Sequence, residues 1–170
     1  MKDSPKLKLQ KNAAQGKRFV IVVSRYHEDL TSKLQEGAVE TLKGYGAKAD
    51  DIVTYWVPGA FEIPAAARFV IQHQNPDAII CLGIILKGET THNAYIATEV
   101  SRGISQIHAA SGVPAIFGVL TPDSLEQAKA RAGGSKGNKG VESAEAALAM
   151  IELLNEIKQG ANKKNKSVGF

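Results

Sequence analysis

Apolar residues recur along the chain in two alternating rhythms. Arg18–Ser24 (RFVIVVS) is a nearly unbroken branched run, which predicts a parallel strand buried on both faces. Leu30, Leu34, Ala38, Leu42 and Tyr45 then return at helical spacing, until Gly44 and Gly46 end the helix. Ile52–Val57 reads as a second strand, stopped by Pro58 and Gly59, and Phe61 to about Gln72 as an alanine-rich helix. The alternation continues with a strand at Ala78–Leu86, a helix from His92 to about Ala110 and a strand at Val113–Leu120. A short helix is expected at Asp123–Arg131, capped by Thr121 before Pro122 or by Asp123 with Glu126 three positions on. A last helix is expected from about Lys139 to Ile157, with Ala144, Leu148, Ile151 and Leu154 on one face.

Right-handed crossovers turn this βαβαβαβαα order into an open sheet of four parallel strands with helices on both faces, a three-layer α/β/α sandwich of flavodoxin-like type. The 170 residues suffice for one such domain and not for two of ordinary size. A hydrophobic share of 44% with 22% charged residues is that of a globular chain. No apolar run reaches the roughly 18 residues of a membrane span. Met1–Gly16 holds no apolar signal-peptide core, so a cytoplasmic location is expected. The single cysteine, Cys81, excludes an internal disulfide and a thiolate metal cluster, and its apolar setting suits a small core residue.

Net charge changes this picture, because +4 is an average of unlike parts. Residues 1–18 carry +5 and residues 158–170 carry +4, leaving −5 on residues 19–157. The expected organisation is a basic arm at 1–17, one α/β domain at 18–158 and a basic tail at 159–170. Without a basic folded face or an aromatic recognition motif, nothing points to nucleic acid.

In open parallel sheets, ligands sit outside the carboxyl ends of the strands, near the point where strand order reverses. That rule selects Arg25, Tyr26 and His27 after the first strand, Pro58–Glu62 after the second, and Lys87–His92 after the third; Phe117–Thr121 of the fourth strand are expected to complete the rim. The segment Gly88–His92 suits either a plain helix entry capped by Thr90 or Thr91, or an anion site on free backbone amides. His92 is compatible with a solvated residue or a proton carrier. Glu62 fits a tight turn or an acceptor for substrate hydroxyls, and Tyr26 and Phe61 fit rim packing or a stacking face.

Arg131–Gly140 (RAGGSKGNKG) packs four glycines and three cations into ten residues. A flexible connection explains it, and so does a seat for a phosphate or carbonyl oxygen. The Walker pattern and GxGxxG are both absent, which removes ATPase and dinucleotide dehydrogenase readings.

Taken in order and at these separations, Val57–Pro64 (VPGAFEIP), Lys87–His92 (KGETTH), Ile116–Leu120 (IFGVL) and Arg131–Gly140 resemble the lumazine synthase family over about residues 18–157. The resemblance implies condensation of two small molecules, 5-amino-6-ribitylaminouracil and 3,4-dihydroxy-2-butanone 4-phosphate, to 6,7-dimethyl-8-ribityllumazine, with no metal or organic cofactor. By motif, Tyr26 stacks on the pyrimidine; Ala60, Phe61 and Glu62 hold the ribityl chain; the backbone of Ile84, Ile85 and Leu86 reads the pyrimidine edge. Glu89 and Thr90 offer backbone amides to the phosphate, Arg131 is its cationic partner, and His92 transfers protons. Phe117, Arg131 and Lys139 match positions supplied by an adjacent subunit, which implies a homopentamer, either isolated or closed into an icosahedral shell, with riboflavin synthase as an associated enzyme. Tyr26-His27 and Asn93 depart from the family's usual residues. A non-catalytic flavin carrier or a shell protein without chemistry would share the fold; the joint presence of Glu62, His92, Arg131 and Lys139 favours the enzyme.

Overall fold

A computed structural model describes residues 7–160 in full and residues 161–166 as helical backbone. Four parallel strands, β1 (Phe19–Ser24), β2 (Ile52–Val57), β3 (Ala78–Ile84) and β4 (Ala115–Leu120), form one sheet in the order β2-β1-β3-β4. The two central strands are buried along their whole length, which is why they read as continuous apolar runs. Strand order reverses between β1 and β3, so the crevice of the expected sandwich opens beyond Ser24 and Ile84.

Alternation along the strands builds two cores. Phe19, Ile21, Val23, Ile80 and Leu82 face α1 (Glu28–Gly44), α4 (Leu125–Arg131) and α5 (Lys139–Lys166), where Leu34, Leu42, Ala128 and Leu148 are fully buried. Val20, Val22, Ile79 and Cys81 face α2 (Ile63–Gln74) and α3 (His92–Ser111) through Ile63, Ala67, Val100 and Ile104. Each large aliphatic side chain fully withdrawn from water contributes roughly 1.5–3 kcal/mol. The flavodoxin-like α/β/α sandwich expected from the sequence is the fold observed.

Four local expectations are corrected. First, α5 runs to Lys166 instead of ending near Ile157, because residues such as Glu156, Lys158 and Gln159 favour helix after the buried stripe has stopped. Second, Arg131–Gly140 is not a loose connection: β5 (Ala132–Gly134) and β6 (Gly137–Asn138) pair antiparallel, with Gly133 and Gly137 supplying φ values of 94° and 82°. Third, α4 is capped by neither Thr121 nor Asp123 but by Ser124, whose hydroxyl accepts from the Gln127 amide at 3.3 Å. Fourth, part of the basic arm lies on the body: Leu9 packs against the first core, and Ala14 is fully buried with its amide donating to Tyr45 O at 3.0 Å. The outer ends of both expected tails, residues 1–6 and 167–170, lie outside the described residues.

The start of α5 is held against α1 by close approach. A Cβ on Gly140 would collide with the Leu34 carbonyl, and one on Gly37 would lie 2.7 Å from Asn138 Nδ2. Asn138 uses the space, donating to Lys33 O at 2.9 Å and accepting from the Gly140 amide at 2.8 Å. This clamp sets the direction in which Lys139 leaves the hairpin.

Candidate active site

Three loops at the carboxyl edge bring the first set of predicted residues together. Backbone pairing of Ser24 with Val57 levels the ends of β1 and β2, so Tyr26 and the turn at Gly59 come side by side. A Cβ on Gly59 would sit 3.5 Å from the Tyr26 ring and 3.0 Å from Glu62 Oε2, which locates ring and carboxylate around one small residue. Tyr26 is 70% exposed, a ring open to solvent of the kind a planar ligand can cover, and Phe61 is exposed as well. Ala60 is buried under this turn.

Of the two roles weighed for Glu62, the structure shows the one in the tight turn. Its Oε2 accepts from the Gly59 amide at 2.9 Å, half of a capping box whose other half is lacking because glycine has no side chain. The other carboxylate oxygen retains its acceptor capacity. Next to Tyr26, Arg25 pairs with Glu28 at 3.0 Å and lies 5.4 Å over the Trp56 ring, so it is engaged away from the rim residues. His27 adopts the left-handed region at φ 58°, ψ 49°, and makes no side-chain cap for α1.

After β3, the chain extends past the last β1–β3 pair, Val23 with Leu82. The Ile85 amide donates to Leu120 O at 2.8 Å and that of Lys87 to Pro122 O at 3.1 Å. Amides alternate sides along an extended chain, so the Leu86 amide points toward the β1 side of the crevice. Glu89, Thr90 and His92 follow at the exposed entry to α3. No side chain caps this helix; the Thr90 hydroxyl is hydrogen-bonded instead to Nδ1 of His92. The imidazole Cε1 lies 3.9 Å from where a Gly88 Cβ would be, so the ring sits over the glycine.

Arg131 and Lys139 form a second group on the α1/α5 side. Arg131 donates to Lys136 O at 2.6 Å and to Glu142 Oε2 at 2.8 Å, with its Nη1 2.7 Å from Oε1, while Lys139 Nζ lies 3.4 Å from Glu142 Oε2. The Glu142 side chain is only 20% exposed. Burial opposes its charge, but the hydrogen bond and charge of Arg131, aided by Lys139, hold its carboxyl below the usual range. Among the described residues no hydrogen bond or ion pair joins this group to Tyr26, Glu62 or His92. Sequence reasoning missed Glu142; its position three residues after Lys139 on a helix was the available signal.

Phe117 does not complete the rim as expected. It pairs with Cys81 in the middle of β4, three residues short of the strand end, hence about 10 Å from it. There it is 37% exposed on an edge strand. His108 is half-buried, and its Nδ1 accepts from the Ala115 amide at 3.2 Å.

A hollow of about 810 Å³ between α2 and α3 is lined by residues including Pro64, Phe69 and Ile107, with Arg68 the one charged residue in its wall. It presents no acid–base pair, whereas the rim presents a carboxylate, an imidazole, a stacking surface and a helix start. Among the described residues no group of three or more His, Cys, Asp or Glu side chains is arranged to hold a metal, and no helix is long and apolar enough to cross a membrane.

Fold and rim define a flavodoxin-like α/β protein with an open polar and aromatic rim at the carboxyl edge of its parallel sheet, the candidate site for small polar molecules. Residues 16–155 match the family model described as 6,7-dimethyl-8-ribityllumazine synthase. The chain therefore belongs to the lumazine synthase family of riboflavin biosynthesis, whose members are transferase-type enzymes.

Proposed function

We propose that the chain condenses 5-amino-6-ribitylaminouracil with 3,4-dihydroxy-2-butanone 4-phosphate, releasing phosphate and water to form 6,7-dimethyl-8-ribityllumazine. The observation that carries this reading is that two local clusters, Tyr26 with Gly59 and Glu62, and Thr90 with His92, both follow the carboxyl ends of adjacent strands at the point where strand order reverses. Tyr26 stacks on the pyrimidine, and Ala60, Phe61 and Glu62 hold the ribityl chain, with the free Glu62 oxygen accepting from its hydroxyls. The main chain of Ile84, Ile85 and Leu86 reads the pyrimidine edge. The uncapped start of α3 at Glu89 and Thr90 takes the phosphate on backbone amides.

His92 moves the protons that imine formation and phosphate loss require. As the amine adds to the ketone carbonyl at C2, a C–N bond forms and water leaves; His92 then takes the proton from C3, and phosphate leaves C4 as its C–O bond breaks. The rest of the acceleration comes from holding two reactants together, a contribution of about 7 kcal/mol or more for well-oriented partners.

The site is shared in this reading. Phe117, Arg131 and Lys139 reach the rim of a neighbouring subunit in a homopentamer, with Arg131 completing the phosphate seat. The exposure of Phe117 on an edge strand and the separation of the Arg131–Glu142–Lys139 group from its own chain's rim support this. Mixing the purified chain with both substrates and following lumazine fluorescence tests the proposal; no product from the folded assembly would remove it.

A further inference from the structure

We propose that Thr90 is a positioning residue for His92: its hydroxyl couples arrival of the substrate phosphate to the choice of which imidazole nitrogen carries the proton. The inference rests on the reading above in one respect, that an oxyanion of the substrate reaches the start of α3. The motif resemblance assigns Thr90 through its backbone amide and leaves the side chain without a role.

The geometry supplies one. A threonine before a helix ordinarily caps a backbone amide, yet α3 receives no side-chain cap and the Thr90 hydroxyl is bonded to His92 Nδ1. With Cε1 resting over Gly88, Nδ1 is turned to the loop and Nε2 to the other side of the ring. Among the described residues, Nε2 makes no hydrogen bond, so it is the nitrogen left to face a substrate.

A hydroxyl has one proton and two lone pairs. In the free protein, the Thr90 O–H can donate to Nδ1, which puts the neutral ring's proton on Nε2 and leaves no base facing the substrate. An oxyanion bound at the adjacent amides draws the Thr90 O–H to itself, because a charge-assisted bond is about twice as strong as a neutral one. Thr90 Oγ1 can then only accept toward the ring, which requires Nδ1–H. The ring proton moves to Nδ1 through solvent, and Nε2 becomes the basic lone pair. When Nε2 removes a substrate proton, an N–H bond forms, the substrate bond breaks, and the imidazolium keeps its Nδ1–H bond to Thr90. Return of the proton from Nε2 to a leaving oxygen regenerates the base. Phosphate binding thus arms His92 only when the phosphorylated substrate is in place.

The test uses the full-length protein labelled with 15N in histidine, at a pH of about 8 where histidine is ordinarily neutral. Long-range 15N–1H correlation spectra, with and without inorganic phosphate, report which nitrogen of His92 is protonated, and the His92→Ala spectrum assigns the signals. The wild type and Thr90→Ser should move the proton to Nδ1 as phosphate is added, and Thr90→Val should show no phosphate-dependent change. In turnover, Thr90→Val should lower kcat by about ten- to a hundredfold, the scale of loss when the hydrogen-bond partner of a metal-bound histidine is removed, and Thr90→Ser should recover most of it. An Nε2–H form in the phosphate-loaded wild type, no response of the wild type to phosphate, or the same response in Thr90→Val would overturn the proposal. Failure to form lumazine from both substrates would instead remove the functional reading, and the spectra do not depend on that outcome.

Discussion

Arg131 and Glu142 form a two-point pair across the turn that joins the small hairpin to the last helix, with Nη1 2.7 Å from Oε1 and Nη2 2.8 Å from Oε2. The pair fixes the plane of the guanidinium before any ligand arrives, and Lys139 shares the same carboxylate at 3.4 Å. Two cations and one anion leave a net single positive charge, enough to attract an oxyanion without leaving two bare cations side by side.

Glu142→Gln should therefore lower stability by about 1–2 kcal/mol, since it leaves two half-buried cations without their counter-charge. The pH dependence has a definite sign. The folded-state carboxyl titrates below its ordinary value, so its contribution is fully present above the unfolded range near pH 4.3 and fades as pH falls toward the folded value. Urea melts at neutral pH and below pH 4 would show it: the gap between wild type and Glu142→Gln should narrow on acidification. A gap that stays constant or widens would mean the pair does not stabilise the fold in this way.

His92 and Arg131 should fail differently when removed. His92→Ala takes away the proton carrier and should reduce turnover roughly tenfold to a thousandfold with little change in substrate affinity. Arg131→Ala should mainly weaken the butanone phosphate, by about 1.5–3 kcal/mol for a lost charge-assisted bond. Separate titration of each substrate against each variant decides this, and equal losses for both substrates in both variants would defeat the division of roles.

Tyr26 and Glu62 should serve the other substrate. Because one Glu62 oxygen holds the Gly59 amide, Glu62→Ala loosens the turn as well as removing an acceptor, whereas Glu62→Gln retains an acceptor oxygen. Both should weaken the ribitylaminouracil, alanine more than glutamine, and both should spare the phosphate substrate. Tyr26→Phe should be nearly silent, while Tyr26→Ala should cost at least about 0.5–1.5 kcal/mol of stacking. Weakened binding of butanone phosphate alone would refute the assignment.

The strands and their order of burial were legible because β1 and β3 are covered on both faces, which leaves no polar position to interrupt the run. Tyr26, Glu62, Thr90 and His92 were picked out by topology, since each lies on the segment that leads from a strand's carboxyl end into the next helix. Distance along a strand was the blind spot for Phe117: its motif ends at the rim, but the side chain sits three residues earlier, opposite Cys81. The glycine-rich segment hid its hairpin because left-handed glycines serve loops and tight turns alike, and only the Asn138 contacts with α1 and Gly140 distinguish them. Thr90 was read as a cap or an amide donor, and its bond to His92 depends on a rotamer that spacing does not encode.

Cys81 should be chemically silent in the folded chain. It is fully buried in the α2/α3 core, and burial pushes its thiol up to about 12, so the reactive thiolate is scarce at neutral pH. A thiol-reactive chromogenic disulfide should give no fast phase with native protein and one equivalent after denaturation. Rapid native labelling would show that the core opens near β3.

The last prediction concerns assembly. β4 is an edge strand, and Phe117 exposes 37% of its surface there, an apolar side chain on an unpaired sheet edge that a neighbouring subunit would cover. Within the chain, residues 7–10 form no strand, Leu9 packs on its own core, and the Gln10 amide donates to Glu152 Oε1 at 3.2 Å. The basic ends repel one another at low salt. The resemblance to the family implies a pentamer, isolated or closed into a shell, and the unpaired sheet edge offers such an assembly a surface to cover. Phe117→Asp should leave the chain folded, because the side chain is already partly in solvent, while dissociating the assembly and abolishing turnover. Light scattering at moderate ionic strength would read a pentamer or larger for the wild type and a lower mass for the variant. A monomeric wild type with full activity would overturn the shared site, and a fully active monomeric Phe117→Asp would show that the site is complete within one chain.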